Sequence, residues 1–373
     1  MRALPPPEFV KVDPAAIESD LIARYEAKSG KTLYPAQIER LFIDQVAYAK
    51  MLAMTAIQQA GEKLLVRFSG GPILDYLGEL VGTPRLLAQP ARCTQVFRLP
   101  APAEQPQIIA AGTRVTSQDG RVAFYTESAL TISVGATEVT GIAICETPGA
   151  IGNDWALGQI SVLVGNATGM STANISVPSG GEDDEEDPPY IERIILAPES
   201  FSTAGTEGGY IYHARAAHQS IIDVAVRGGE EDAEVPDGEV WVYPLTSSGL
   251  PSAELIALVQ ANLTPRKKRP LTDKVLTKMP VEVAYRIDGG LILYDWADAE
   301  STLARAQAAA AAFAADRRAG LGRDIVPEQL EKALQVDGVY RPQLAAPEYL
   351  QLAGHEWANC TEIDLAVTGT ANG

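Results

Sequence analysis

Along the first quarter of the chain, apolar side chains recur at intervals of three and four, the period of helices with one greasy face. Asp13 followed by Pro14 reads as a helix start, because an Asp carboxylate accepts from free first-turn amides and Pro suits the first helical position. The stripe Ile17, Leu21, Ile22 and Tyr25 then runs to Gly30. A second, longer helix is predicted from about Pro35 to Gly61 on Ile38, Leu41, Phe42, Gln45, Val46, Ala49, Leu52, Ala53, Ala56 and Ala60. Its spacing, sustained over about three heptads with small alanines, suits knobs-into-holes packing beside other helices. A buried core helix is the alternative reading of the same pattern. After Gly70-Gly71, Pro72 opens a short helix carrying Ile73, Leu74, Leu77 and Leu80, and Gly82-Thr83-Pro84 closes it.

From about Cys93 to Val164 the period falls to two, as in Thr94, Val96, Arg98, then Val122, Phe124, Thr126, then Leu130, Ile132, Val134, and finally Ile160, Val162, Val164. Gly112, Asp119-Gly120, Gly135 and Gly152-Asn153 punctuate these short strands with residues suited to tight hairpins, so a small antiparallel β domain is predicted. Beyond residue 189 helix and strand signals alternate: a helix at 206–218, strands at 221–226 and 239–244, a helix at 252–263, and strand pattern at 274–287. The last stretch offers an alanine-rich helix near 298–319, another near 327–335, and strands around Val339 to Leu344 and Ile363 to Val367.

The fold class these patterns imply is multidomain α+β: an N-terminal helical bundle segment, a small antiparallel β domain, then one or two α+β domains. The implied boundaries are 1–88 for the helices, 89–177 for the β domain, 178–189 for an acidic linker, and 190–296 and 297–373 for the α+β parts. A length of 373 residues fits several cores better than one. The linker carries six consecutive acids, 182–187, with no apolar side chain after Pro178, so it is expected to be exposed and solvated. Its run of carboxylates lacks the alternation and turn glycine of a calcium loop, and no metal is assigned to it.

A net charge of −18 disfavours nucleic acid as a partner, since displacing counterions from phosphates needs concentrated Lys and Arg. The basic run Pro265-Arg-Lys-Lys-Arg-Pro270 stands out in this acidic chain as a solvated loop, with contact to an acidic neighbour as the other reading. Cys93, Cys145 and Cys360 are odd in number and form no CxxC, which points to a reducing compartment without disulfides. The N-terminus lacks a secretory apolar stretch, and no run of about 18 uncharged apolar residues occurs, so neither that export route nor a membrane span is expected.

Catalytic chemistry finds little support. His213 and His218 are five apart on a predicted helix, which turns them to different sides and suits a metal poorly, and His355 stands in a turn with no companion. No GxSxG elbow, phosphate loop or GxGxxG turn occurs, and Cys145 sits in an alternating strand without a nearby histidine. Paired carboxylates are harder to dismiss among 48 acids, but Trp155, Trp241, Trp296 and Trp357 are scattered and build no sugar platform. The chain therefore reads as a non-enzyme with no cofactor.

The order of segments, with several local phrases, resembles the baseplate J-like family, wedge proteins of contractile phage tails and related injection machines. The carriers are Gly71-Pro-Ile-Leu-Asp-Tyr-Leu-Gly78, Ala111-Gly-Thr-Arg-Val115, Gly149-Ala-Ile-Gly-Asn153, Thr206 to Ala214, Arg269-Pro-Leu-Thr272, and Gly322-Arg-Asp-Ile325 leading into Leu330 and Gly338-Val339. The acidic insert 182–187 departs from the family pattern. The resemblance implies a structural subunit whose N-terminal helices bundle with partners, whose copies pair within a wedge, and whose wedges ring the tail hub and rearrange when the sheath contracts. Its implied partners are other copies, other wedge proteins, the hub and sheath-initiating subunits, with no nucleic acid and no membrane. The implied location is the tail baseplate of a virion made in a bacterial cytoplasm. On that reading Ile38, Leu41, Phe42, Gln45, Val46, Ala49, Leu52, Ala53 and Ala56 are the partner interface. Two other readings stay open: a tail-associated glycan hydrolase, and a β-rich carbohydrate-binding adhesin centred on residues 90–165.

Overall fold

The computed structural model describes residues 4–165, 169–201, 205–230, 232–265, 269–270 and 272–372. The fold is multidomain α+β and falls into two units, Met1–Arg85 with Tyr190–Ala197, and Leu86–Pro189 with Pro198–Gly373.

In the first unit, α1 (Pro14–Ser29) begins where the sequence places it, with the Asp13 carboxylate accepting from the Ala16 amide at 3.1 Å, and ends at Gly30 with φ 68°. The long helix α2 (Ile38–Lys63) starts three residues later than Pro35. A turn precedes it, in which the Gln37 amide donates to the Tyr34 carbonyl and the Tyr34 amide to the Gln37 side chain. The short α3 (Gly71–Leu80) packs Leu74 against Tyr190 and Ile194 of α4 (Asp187–Leu196). The helical unit therefore does not end at residue 88. It borrows a segment about a hundred residues downstream, because Leu74, Tyr190 and Ile194 bury one another.

The second unit opens with the β domain: β1 (Arg92–Arg98), β2 (Gln107–Ile109), β3 (Arg114–Ser117), β4 (Ala123–Thr126), β5 (Leu130–Ile132), β6 (Glu138–Cys145), β7 (Ile160–Leu163) and β8 (Ser171–Asn174). Six of them form one sheet in the order β7-β3-β4-β6-β1-β8, with β2 and β5 as a separate pair. Phe97, Val115, Phe124, Ile132 and Ile160 fill its core. The two edge strands, β7 and β8, are stitched by side chains. Fully buried Gln95 donates to the Ile160 carbonyl at 2.9 Å and to the Thr172 hydroxyl at 2.7 Å, while the Asn174 side-chain oxygen accepts from the Ile160 amide at 3.0 Å.

The acidic stretch 178–189 is tied to the β domain and is not a free linker, although Asp183, Asp184 and Glu186 are exposed. The backbones of Gln89 and Glu182 exchange hydrogen bonds of 2.8 and 3.0 Å, and those of Arg92 and Ser179 exchange bonds of 2.9 and 3.1 Å. The carboxylates of Asp183, Asp184 and Glu185 accept from the amides of Ala150, Ala88 and Leu86, respectively, and Glu185 is buried. Anions that each receive a backbone N–H are stabilised singly, so adjacency in sequence does not force the segment into water.

The middle domain holds α5 (Glu207–Arg215), β9 (Ile221–Arg227), β10 (Glu239–Thr246), α6 (Ala253–Leu263) and β11 (Lys274–Thr277). Its sheet, β11-β10-β9, pairs β10 antiparallel with β9 and parallel with β11. The C-terminal domain holds β12 (Val281–Tyr294), α7 (Ala299–Arg318), α8 (Pro327–Leu334), β13 (Val339–Ala346) and β14 (Glu356–Ala371). There β12 lies between antiparallel β13 and parallel β14. The boundary drawn at 296/297 is thus misplaced: it removes the central strand from the C-terminal sheet. The pair Gly289-Gly290 resembles a turn in sequence yet lies inside β12, where an added Cβ on Gly290 would meet the Thr368 side chain at 2.5 Å.

Candidate assembly surface

The N-terminal helices are built so that one side of α2 is consumed and the other is left over. Toward α1, Ile43 and Ala47 are buried, Arg40 pairs with Glu18 and with Asp44, and Lys50 reaches Asp20 at 3.6 Å. Toward the extended N-terminus, the Gln58 side chain accepts from the Phe9 and Val10 amides at 2.8 and 2.9 Å and donates to the Pro7 carbonyl at 2.7 Å. Gly61 lets the Phe9 ring approach, since a Cβ there would sit 2.7 Å from it.

The opposite side is apolar and open. At 3.6 residues per turn, Ile38, Leu41, Phe42, Gln45, Val46, Ala49, Leu52, Ala53 and Ala56 fall within an arc of about 140°. All nine are exposed, Ile38 by 70% and Phe42 by 69%. The structure thus brings the whole set onto one face and places none of it in a core. Tyr48 and Ile57, which the sequence reading omitted, flank the same face and are also exposed. Their positions one step outside the three-and-four spacing hid them.

Among the described residues, no three His, Cys, Asp or Glu side chains gather as a metal site. His213 packs edge-on against Tyr212, His218 is hydrogen-bonded with Ser220 at 2.8 Å, and His355 stacks on Tyr243 with ring centres 5.0 Å apart. Burial pushes the Cys93 thiol up to about 12 and raises Cys145 and Cys360 as well, and all three are free thiols, so none is a ready nucleophile. Asp20, Asp119, Glu239 and Asp316 are held below the usual carboxylate range, each chiefly by a hydrogen bond, from Arg24, Ser117, Lys274 and Arg317. Among the described residues Glu182 is the one carboxyl held above the usual range, by burial and then by Asp183.

Two shallow hollows, of about 210 and 340 Å³, lie beside α1. Asp13 and Asp20 line the first, Asp13 capping α1 and Asp20 facing Lys50, and Glu18 and Glu26 line the second, Glu18 facing Arg40 and Glu26 accepting from the Leu33 amide; no aromatic ring lines either hollow. Of the basic run, residues 266–268 lie outside the described residues. Arg269 turns back to the carbonyls of Thr264 and Asp273. No helix among the described residues is long and apolar enough to cross a membrane.

Comparison with known proteins places names on three of these parts. Residues 96–181 match the Baseplate J-like protein barrel domain, 202–278 the Baseplate J-like central domain, and 285–366 the Baseplate J-like protein C-terminal domain. Over 187 residues the chain is 32% identical to baseplate protein J of Escherichia phage P2, a match covering 50% of this chain and 60% of that protein's length. A chain in the cryo-EM structure of the anti-feeding prophage baseplate, 6-fold symmetrised, aligns with 94% of this chain and 90% of its own length, at 13% identity and a TM-score of 0.47.

Proposed function

Because this chain belongs to the baseplate J-like family, we propose that it is a structural, non-catalytic subunit of the baseplate wedge of a contractile tail. Its copies pair within each wedge and meet other wedge proteins, the tail hub and sheath-initiating subunits. The wedges form a ring around the hub that rearranges on contraction. The protein resides in the tail baseplate of the assembled particle after synthesis in the host cytoplasm.

One observation carries this reading: the exposed apolar face of α2, whose other face is already satisfied by α1 and the N-terminal segment. Ile38, Leu41, Phe42, Val46 and Leu52 each contribute about 1.5–3 kcal/mol when fully buried, before ordering costs, so a helix–helix contact here is stable without any ligand. Replacing Leu41, Val46 and Leu52 together by Glu tests it. Co-purification with partner wedge proteins should be lost while the circular dichroism and thermal unfolding of the remaining domains stay unchanged. Undiminished co-purification would remove α2 as the assembly surface.

A further inference from the structure

We propose that the open face of α2 is occupied by α2 of a second copy of this chain, running antiparallel, with a two-fold axis beside Ala49. The proposal rests on the reading of α2 as the assembly surface and adds to it the occupant, its direction and its register.

The face changes along its length. Its N-terminal half carries Ile38, Leu41, Phe42 and Val46, with Tyr48 beside them, all large and exposed. From Ala49 onward the middle of the arc holds Ala49, Ala53, Ala56 and Ala60, exposed alanines that leave a shallow trough, with Leu52 and Ile57 at its margins. At 1.5 Å per residue the seam from Ile38 to Ala60 is about 33 Å long. Bulk occupies one end of it and space the other.

A partner helix must therefore carry the opposite taper, and a second α2 does so in one direction only. Turned about a two-fold axis at Ala49, each helix sets its Ile38 level with Ala60 of the other and its Phe42 level with Ala56, while Ala49 meets Ala49. The two large side chains on the midline then face alanine. A parallel pair would set Phe42 against Phe42 and Ala56 against Ala56, overpacked at one end and hollow at the other. Alanines at the crossing also let the helix axes approach to about 8–10 Å.

Charge favours the same occupant. The chain carries a net −18, so two copies repel one another at long range. Between Ile38 and Ala60, however, no charged residue falls within the exposed arc: Arg40 is paired with Glu18 and Asp44, Lys50 with Asp20, and Glu39 sits to one side. A partner of opposite charge finds nothing to pair with on this face, whereas a second copy meets no like charge there.

Disulfide trapping in the full chain carrying Cys360→Ala reads both pairing and direction, the other two cysteines being buried. Ala49→Cys lies on the axis and should cross-link to its own copy. Chains with Gln45→Cys mixed with chains with Ala53→Cys should give at least about tenfold more cross-linked dimer than Gln45→Cys alone, because only an antiparallel pair holds these two positions together. Sedimentation velocity reads the shape match. Ala56→Phe should weaken dimerisation about tenfold by filling the trough, and Phe42→Ala in the same chain should restore it. Tighter association of Ala56→Phe would overturn the taper, and efficient cross-linking of Gln45→Cys by itself would overturn the direction. A chain that sediments as a monomer and gives no Ala49→Cys dimer would overturn the second copy as occupant. Should the triple Glu variant at Leu41, Val46 and Leu52 still lose co-purification with wedge proteins in that case, α2 remains an assembly surface for another partner.

Discussion

The phenolic hydroxyl of Tyr190 donates to the carbonyl of Thr83 at 2.8 Å, across 107 positions of sequence. The Tyr190 ring is fully buried, with the Arg85 guanidinium 4.5 Å from its centre, and Gly78 makes the space for it: a Cβ there would lie 1.9 Å from the hydroxyl oxygen and 2.6 Å from the Thr83 carbonyl. Gly78→Ala should therefore destabilise the helical unit by about 1–3 kcal/mol, through overpacking against backbone that cannot yield. Tyr190→Phe should cost about 1 kcal/mol for the lost hydrogen bond alone. Urea unfolding followed by circular dichroism separates the two.

Adjacent residues on α2 should behave in opposite ways. Ile43 is buried against α1, so Ile43→Ala is expected to lower stability by about 2–4 kcal/mol. Phe42, one residue before it, is exposed, so Phe42→Ala should leave stability within about 0.5 kcal/mol while weakening association with partners. Thermal unfolding and a pull-down on the same two proteins make the comparison.

The seam of the β domain rests on Gln95. Gln95→Leu keeps the volume and removes donors to the Ile160 carbonyl and the Thr172 hydroxyl, both in a buried site. A loss of about 1–3 kcal/mol is expected, with faster amide exchange at β7 and β8 than elsewhere in the sheet.

Burial lowers His218 below the usual histidine range. The unfolded chain takes up a proton near pH 6.5, whereas the folded chain resists it until lower pH, so this contribution to stability is complete above that point and is lost as pH falls. The urea midpoint should decline between pH 7 and pH 5, and His218→Gln should flatten that decline. An unchanged slope in the variant would assign the decline to other groups.

Much of this architecture is legible in the chain. Asp13-Pro14, Thr206 and the Ser252 start of α6 announce their helices locally, because a cap needs only a few neighbouring residues. That the residues on the open face of α2 share one side is equally legible, since helical period alone decides it, but whether that side is buried or exposed is not. What could not be read is whatever depends on a distant partner. Six consecutive acids look like a linker until the amides of Leu86, Ala88 and Ala150 are seen to meet them, and Gly289-Gly290 looks like a turn until β14 lies alongside. Gln95 is one polar residue in an alternating strand, with nothing local to show that it closes a seam. The borrowing of Tyr190 by the first helices leaves no trace in either segment's own pattern.

That borrowing sets an order of events during synthesis. A nascent chain released from the ribosome only as far as residue 88 has α3 but lacks the ring that fills the space beside Gly78. α1 and α2 can already pack together, yet the packing of α3 waits until roughly a hundred further residues, including the whole of β1 to β8, have been translated. The open apolar face of α2 thus belongs to a helical unit completed late, and a truncated product would display that face before α3 is seated.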